Sequence, residues 1–155
     1  MAQVVRRLSE KSAVHQSQQT CFATCVVQCE HFLGPVPKGL EHGRQFRKLR
    51  LRNMFIQCSS ADNCVVVKDV GPVLIENIIQ MQNDEVFLVC QVFCNVGNVF
   101  SYPLESSSLS IFYATGLSGK YATFPVAMIN TKCVRLPCGK NGSHFTILPL
   151  IHFSQ

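Results

Sequence analysis

The chain has 155 residues, of which 47% are apolar and 15% charged, with eleven Phe and no Trp. That length and composition suit one folded domain with a short appendage and exclude wholesale disorder. The net charge of +5 is uneven: residues 1–57 hold nine Lys/Arg against three Asp/Glu (+6), while residues 58–155 hold five against six (−1).

The opening MAQVVRRLSEKSA lacks the apolar core of a signal peptide. The longest apolar stretches, Val86 to Cys94 and Phe145 to Phe153, fall short of the roughly 20 residues that span a bilayer. With nine cysteines, an odd number, the expectation is free thiols in a reducing compartment, nuclear or cytoplasmic, with no membrane partner and no secretion. Asn141-Gly142-Ser143 then reads as a tight turn, not a glycosylation site.

Residues 1–43 read as a basic, Cys-rich, loosely packed appendage. A short helix is expected at 3–14 and a second at 20–33, where Cys21, Cys25 and Cys29 recur every four residues. Val26 and Val27 weigh against the second, because β-branched side chains disfavour helix. Gly34-Pro35-Val36-Pro37-Lys38-Gly39 follows as a linker.

From residue 44 to 155 the pattern becomes short strands separated by turn chemistry. In 45–56, Leu49, Leu51 and Phe55 alternate with Lys48, Arg50 and Arg52 as one strand with a cationic outer face. Asp62-Asn63 leads into 64–68, Gly71-Pro72 into 73–79, and Asn83-Asp84 into 86–93, which is apolar on both faces and so central. A loop at 95–107 holds a short extended piece at 99–102. Further strands are expected at 109–113, 133–136 and 145–148, the last two joined through a turn at 138–142. About seven short strands without long helical periods predict an all-β, small, partly open barrel. Pro103, Pro125 and Pro149 belong at strand ends, edges or bulges.

Four sets of residues invite a chemical reading. Cys21, Cys25, Cys29 and His31 would converge on one Zn²⁺ if they shared a helix, but structural zinc sites generally use closer pairs, so incidental thiols are the stronger expectation. A thiol nucleophile at Cys90 or Cys133 with His144 or His152 lacks any local signature. Gly139-Lys140 lacks the upstream glycine and the following Ser/Thr of a phosphate loop. Tyr102, Tyr113, Tyr121 and Phe124 suggest either an aromatic cage for a methylated cation or the edge of a core. No enzyme, cofactor or small-molecule substrate is expected.

The basic stretch Arg44, Arg47, Lys48, Arg50 and Arg52 is the main candidate for binding nucleic acid or a chromatin partner. Lys48, Arg50 and Arg52 share a face at spacings of about 6–7 Å, which suits successive phosphates of a single strand. Phe46 and Met54 are expected on the same face, where they would stack on bases. The alternative is a strand whose charges merely protect it from aggregation, in a protein-binding or structural remnant.

The stretches FRKLRLRNMFI, ADNCVVVKDVGPVLIENII, DEVFLVCQVF, FSYPLESSSLSIFY, FPVAMINTKCVRLP and FTILPLIH resemble, in order and spacing, a carboxyl-terminal β module of animal proteins derived from CACTA/EnSpm-type transposons. The resemblance covers about residues 46–152, and AQVVRRLSEKSA is similar to the segment that closes the preceding domain in such proteins. Phe124-Pro125 stands where Trp-Pro is commoner. The resemblance implies a transposon-derived fragment without its catalytic region. The strand pattern at 63–93 is also similar to barrels of the bromo-adjacent homology type, a likeness of fold alone.

Overall fold

A computed structural model describes residues 25–52, 54–59 and 61–150. Among the described residues nine strands succeed one another: β1 (Cys25–His31), β2 (Arg44–Leu51), β3 (Met54–Gln57), β4 (Cys64–Val67), β5 (Gly71–Gln80), β6 (Val86–Gly97), β7 (Phe112–Pro125), β8 (Ile129–Cys138) and β9 (His144–Pro149). Among the described residues, helix is confined to two 3₁₀ turns, Ser106–Leu109 and Val126–Met128. The chain is all-β, as its alternation predicts.

Seven expected strands become nine for two reasons. The stretch read as one strand at 45–56 is a hairpin, with Leu51 opposite Met54 and Arg52 in the turn at φ 42°. The described part of the second expected helix is instead β1, paired along β2 from Cys25–Leu51 to His31–Gln45. There the extended preference of Val26 and Val27 prevails. The helix expected at 3–14 lies outside the described residues.

The sheet runs β1-β2-β5-β4-β8-β9-β7-β6, and β5 also pairs with β6. Six strands therefore curl into a ring that stops short of a regular barrel, and β1–β3 extend from it. β5 serves three partners because β6 takes one edge while β4 and β2 divide the other, at Gly71–Leu74 and Ile78–Gln80. A register shift between Ile75 and Asn77 marks a bulge at Glu76.

Both faces of β4 and β5 are buried. Cys64, Val66 and Leu74 join Phe93, Phe112, Ala114, Cys133 and Ile147, a cluster to which all six ring strands contribute and which fills the ring. Val65, Val67, Val73, Ile75 and Ile78 face the other way, against Phe46, Leu49 and Ile56 of β2 and β3. The β1–β3 sheet is thus a lid over the outside of the ring.

A polar knot ties down the edge of that lid. The fully buried Asn77 donates from Nδ2 to the Pro35 carbonyl (3.0 Å) and to Gln45 Oε1 (2.9 Å). Its Oδ1 accepts from the Ile78 amide (2.9 Å) and meets His31 Nε2 at 3.1 Å. Gln45 Oε1 also accepts the Gly34 amide (3.0 Å), and a Cβ at Gly34 would stand 2.3 Å from Asn77 Nδ2. Where a loose linker is expected at 34–39, the chain is sewn to β5, and Leu40 is buried with Ile79 and Val89.

Replacing Asn77 by Ala removes the bonds it gives the part-buried Pro35 carbonyl and the buried Ile78 amide, leaves Gln45 Oε1 with the Gly34 amide alone, and should lower unfolding free energy by roughly 2–4 kcal/mol. Equilibrium denaturation in urea checks this, and an unchanged midpoint would show that the knot contributes nothing.

Candidate nucleic-acid interface

Residues opposed across a ladder share a face. In β1–β3, Val27, Leu49 and Ile56 form one row, and Cys25, Leu51 and Met54 another, all packed against the core. Two rows have the opposite phase: Val26, Arg50 and Phe55 between these, and Gln28, Lys48 and Gln57 beyond the first. Burial of Leu49 and Ile56 directs Arg50 and Phe55 outward. Phe55 is 39% exposed, and Lys48 Nζ lies 5.8 Å from its ring centroid, a cation–π distance. The outer face of the lid therefore carries two cations, one aromatic ring and two amides.

The five cations do not act as one row. Arg44 donates to both carboxylate oxygens of Glu30 (2.9 and 2.7 Å) and stacks over Phe46 at 5.4 Å. The hydrogen bond from Arg44 holds the Glu30 carboxyl below its ordinary range. Arg47 is exposed but belongs to the phase of Leu49, at a point where the ladder records no pair with Cys29, itself at φ 59°. Lys48 and Arg50 remain together on the outer face, and among the described residues neither lies within ion-pair distance of a carboxylate. Arg52 sits in the hairpin turn with an interaction of its own.

The aromatic partner also differs from expectation. Phe46 is 6% exposed and belongs to the core, and Met54 packs against it. Phe55, expected inside, stands beside the cations because the pairing of Leu51 with Met54 places it opposite Arg50. Asn53, a residue type that favours turns, was the available signal.

A family model matches residues 30–150, a span that runs from the end of β1 through β9 and includes Lys48, Arg50 and Phe55. The chain belongs to the DUF8592 family. Its description is a domain of unknown function. No curated protein and no solved structure matches the chain. Among the described residues no helix is long and apolar enough to cross a membrane.

Outside the lid, the structure separates most of the remaining candidates. Cys25 and Cys29 lie four residues apart on an extended strand, about 13 Å, with Cys25 against the core, Cys29 exposed and His31 engaged with Asn77. Cys21 lies outside the described residues. Convergence of these side chains on zinc required a helix, and among the described residues no three His, Cys, Asp or Glu are grouped to hold a metal. Tyr113 and Tyr121 are eight residues apart on β7, Phe124 packs against the core, and Tyr102 is exposed in the 98–105 loop. They do not form a cage.

Cys90 and Cys133 are fully buried, whereas His144 is exposed and faces Cys138 across the β8–β9 hairpin. His152 lies outside the described residues. Burial pushes the thiols of Cys58, Cys64 and Cys133 up to about 12, and that of Cys90 higher still. A thiol kept protonated is a poor nucleophile. The Cys138–His144 juxtaposition was missed in the sequence, although the two residues flank Asn141 symmetrically.

Two outcomes follow from the buried thiols. In native protein at pH 8, iodoacetamide should label Cys29 and Cys94 and spare Cys58, Cys64, Cys90 and Cys133, which should react once guanidinium unfolds the chain. Because Cys64 and Cys133 are raised from 9.0 to about 12 on folding, their contribution to stability is intact below pH 9 and lost as pH climbs toward 12. Urea midpoints should fall over that window, less steeply in a Cys64→Ala, Cys133→Ala variant, and equal slopes would contradict the assignment.

Proposed function

We propose that this domain is a non-catalytic module that binds single-stranded nucleic acid across the outer face of β1–β3. The observation that carries the proposal is the grouping of Lys48, Arg50 and Phe55 on one solvent-facing surface. Cations for phosphates beside a ring for a base are the two components that sequence-tolerant single-strand binders combine. Lys48 and Arg50 are about 6–7 Å apart along the strand.

The topology argues against a merely protective role for these charges. Protective lysines and prolines blunt exposed edges. β2 is not an edge: β1 covers one side, and β3 and β5 share the other. The resemblance to transposon-derived β modules supports an accessory role in a nuclear or cytoplasmic setting.

A protein partner is the second reading, favoured by the loop at 98–111. Val99, Phe100, Tyr102, Leu104 and Leu109 are exposed there, yet the loop is firmly built. The buried Ser106 Oγ accepts the Val99 amide (2.8 Å) and donates to the Ile111 carbonyl (2.9 Å).

Fluorescence anisotropy with a labelled oligouridylate separates the two. Affinity should fall with salt by about 0.7 log units per log unit for each phosphate contact. Lys48→Glu with Arg50→Glu should abolish binding, and Phe55→Ala should weaken it by roughly 1–3 kcal/mol. Salt-independent binding, or full affinity in the charge-reversed variant, would remove the nucleic-acid proposal and leave the protein partner.

A further inference from the structure

The β8–β9 hairpin carries a second cluster of reactive side chains, remote in sequence from the lid. Cys138 and His144 are directly opposed, and Tyr113 is opposed to Thr146 across β7 and β9. These four share one face, since Phe112, Ala114 and Ile147, of opposite phase on the same strands, fill the ring. Diagonal contacts join them. The Tyr113 hydroxyl hydrogen-bonds with His144 Nδ1, and Thr146 Oγ1 donates to Cys138 Sγ at 3.8 Å. With Gly139, Lys140 and Asn141, Tyr113, Cys138 and His144 line an open depression of about 420 Å³.

We propose that Cys138 is a base-assisted thiol that exchanges with low-molecular-weight disulfides, making this hairpin a site of reversible S-thiolation. The tautomer of His144 that donates Nδ1–H to the Tyr113 oxygen leaves Nε2 as a proton acceptor. His144, opposite Cys138 in the ladder and lining the same depression, is then the base available to its thiol, with Tyr113 orienting it from behind. In the exchange, Nε2 takes the thiol proton and the Cys138 sulfur attacks one sulfur of the disulfide. That S–S bond breaks as the new one forms, and the departing thiolate recovers the proton from His144. Lys140 at the rim of the depression suits a carboxylated disulfide such as oxidised glutathione.

The other described thiols sharpen the contrast. Cys64, Cys90 and Cys133 are buried, Cys25 and Cys58 are half-buried against the core, and Cys29 and Cys94 are exposed. Cys138 is only half-buried, and it is the described thiol whose recorded ladder partner is a histidine. Access alone would make Cys29 and Cys94 the faster thiols. Activation by His144 would reverse that order.

The test treats the full chain with oxidised glutathione, quenches with acid at intervals and follows each cysteine by peptide mass spectrometry. Cys138 should acquire glutathione about tenfold faster than Cys29 and Cys94, an advantage that base assistance readily supplies. His144→Gln should remove the advantage while leaving Cys29 and Cys94 at their own rates, and Tyr113→Phe should reduce it. Continued protection of Cys64 and Cys133 in each variant reports that the fold is intact. Reaction at Cys138 no faster than at the exposed thiols, or undiminished in a folded His144→Gln variant, overturns the proposal.

Discussion

β4 and β5 cannot leave either face to water. Every residue of Cys64–Val67 is buried, and eight positions of β5 lie between the half-buried Gly71 and Gln80, seven of them buried. Such strands need cover on both sides, and an aliphatic side chain fully withdrawn from water stabilises by about 1.5–3 kcal/mol. The ring supplies one cover by closing on Leu74, Phe93 and Ile147. The lid supplies the other with Phe46, Leu49 and Ile56. Once Leu49 and Ile56 point inward, strand geometry sends Arg50 and Phe55 to the opposite side. The basic face is thus a geometric consequence of covering β5.

Two polar anchors fix where that cover sits. At one edge, Asn77 fastens β5 to Gln45 of β2 and to the Pro35 carbonyl. At the other, the nearly buried Lys132 of β8 donates from Nζ to the Phe55 carbonyl and to Asp62 Oδ1, both at 2.7 Å. A buried ammonium without partners is costly, so it holds its partners strongly. Lys132 therefore positions β3 through the backbone of the residue whose ring forms part of the outer face. The surface is held from the ring side by a residue that contributes nothing to it directly.

Strands were legible in the sequence where alternation and turn chemistry agreed, as at 64–68, 73–79 and 86–93. They were obscured where one pattern fits two structures. Cysteines four apart share a face on a helix, but four is also an even number, so they share a face on a strand. That ambiguity turned β1 into an expected helix and made a zinc cluster conceivable. In 45–56 the alternation continued through Arg52-Asn53, hiding the hairpin and the placing of Phe55, in place of Phe46 and Met54, beside Lys48 and Arg50. The second half of β7 was hidden by Gly116, Ser118, Gly119 and Lys120, where its register against β6 shifts. The knot at Asn77 joins residues up to 46 positions apart, and no local pattern announces such a contact.

The uneven charge acquires a spatial meaning in this fold. Residues 25–57, which form the lid, hold six Lys/Arg and two Glu, while the six acidic residues beyond position 57 belong to the ring and its turns. Packed sheets are about 10 Å apart, comparable to the screening length of about 8 Å at physiological salt. Two of those acidic residues stand closer: the Asp62 carbonyl accepts the Gln57 amide of β3 while its carboxylate is held by Lys132, and Glu76 acts on the Cys58 thiol beside β3. Neither carboxylate is within ion-pair distance of Lys48 or Arg50, which therefore keep their charge for what approaches the lid. The lid alone carries an excess of four positive charges while residues 58–155 carry a net −1, so the whole-chain value of +5 conceals an asymmetry between the two layers.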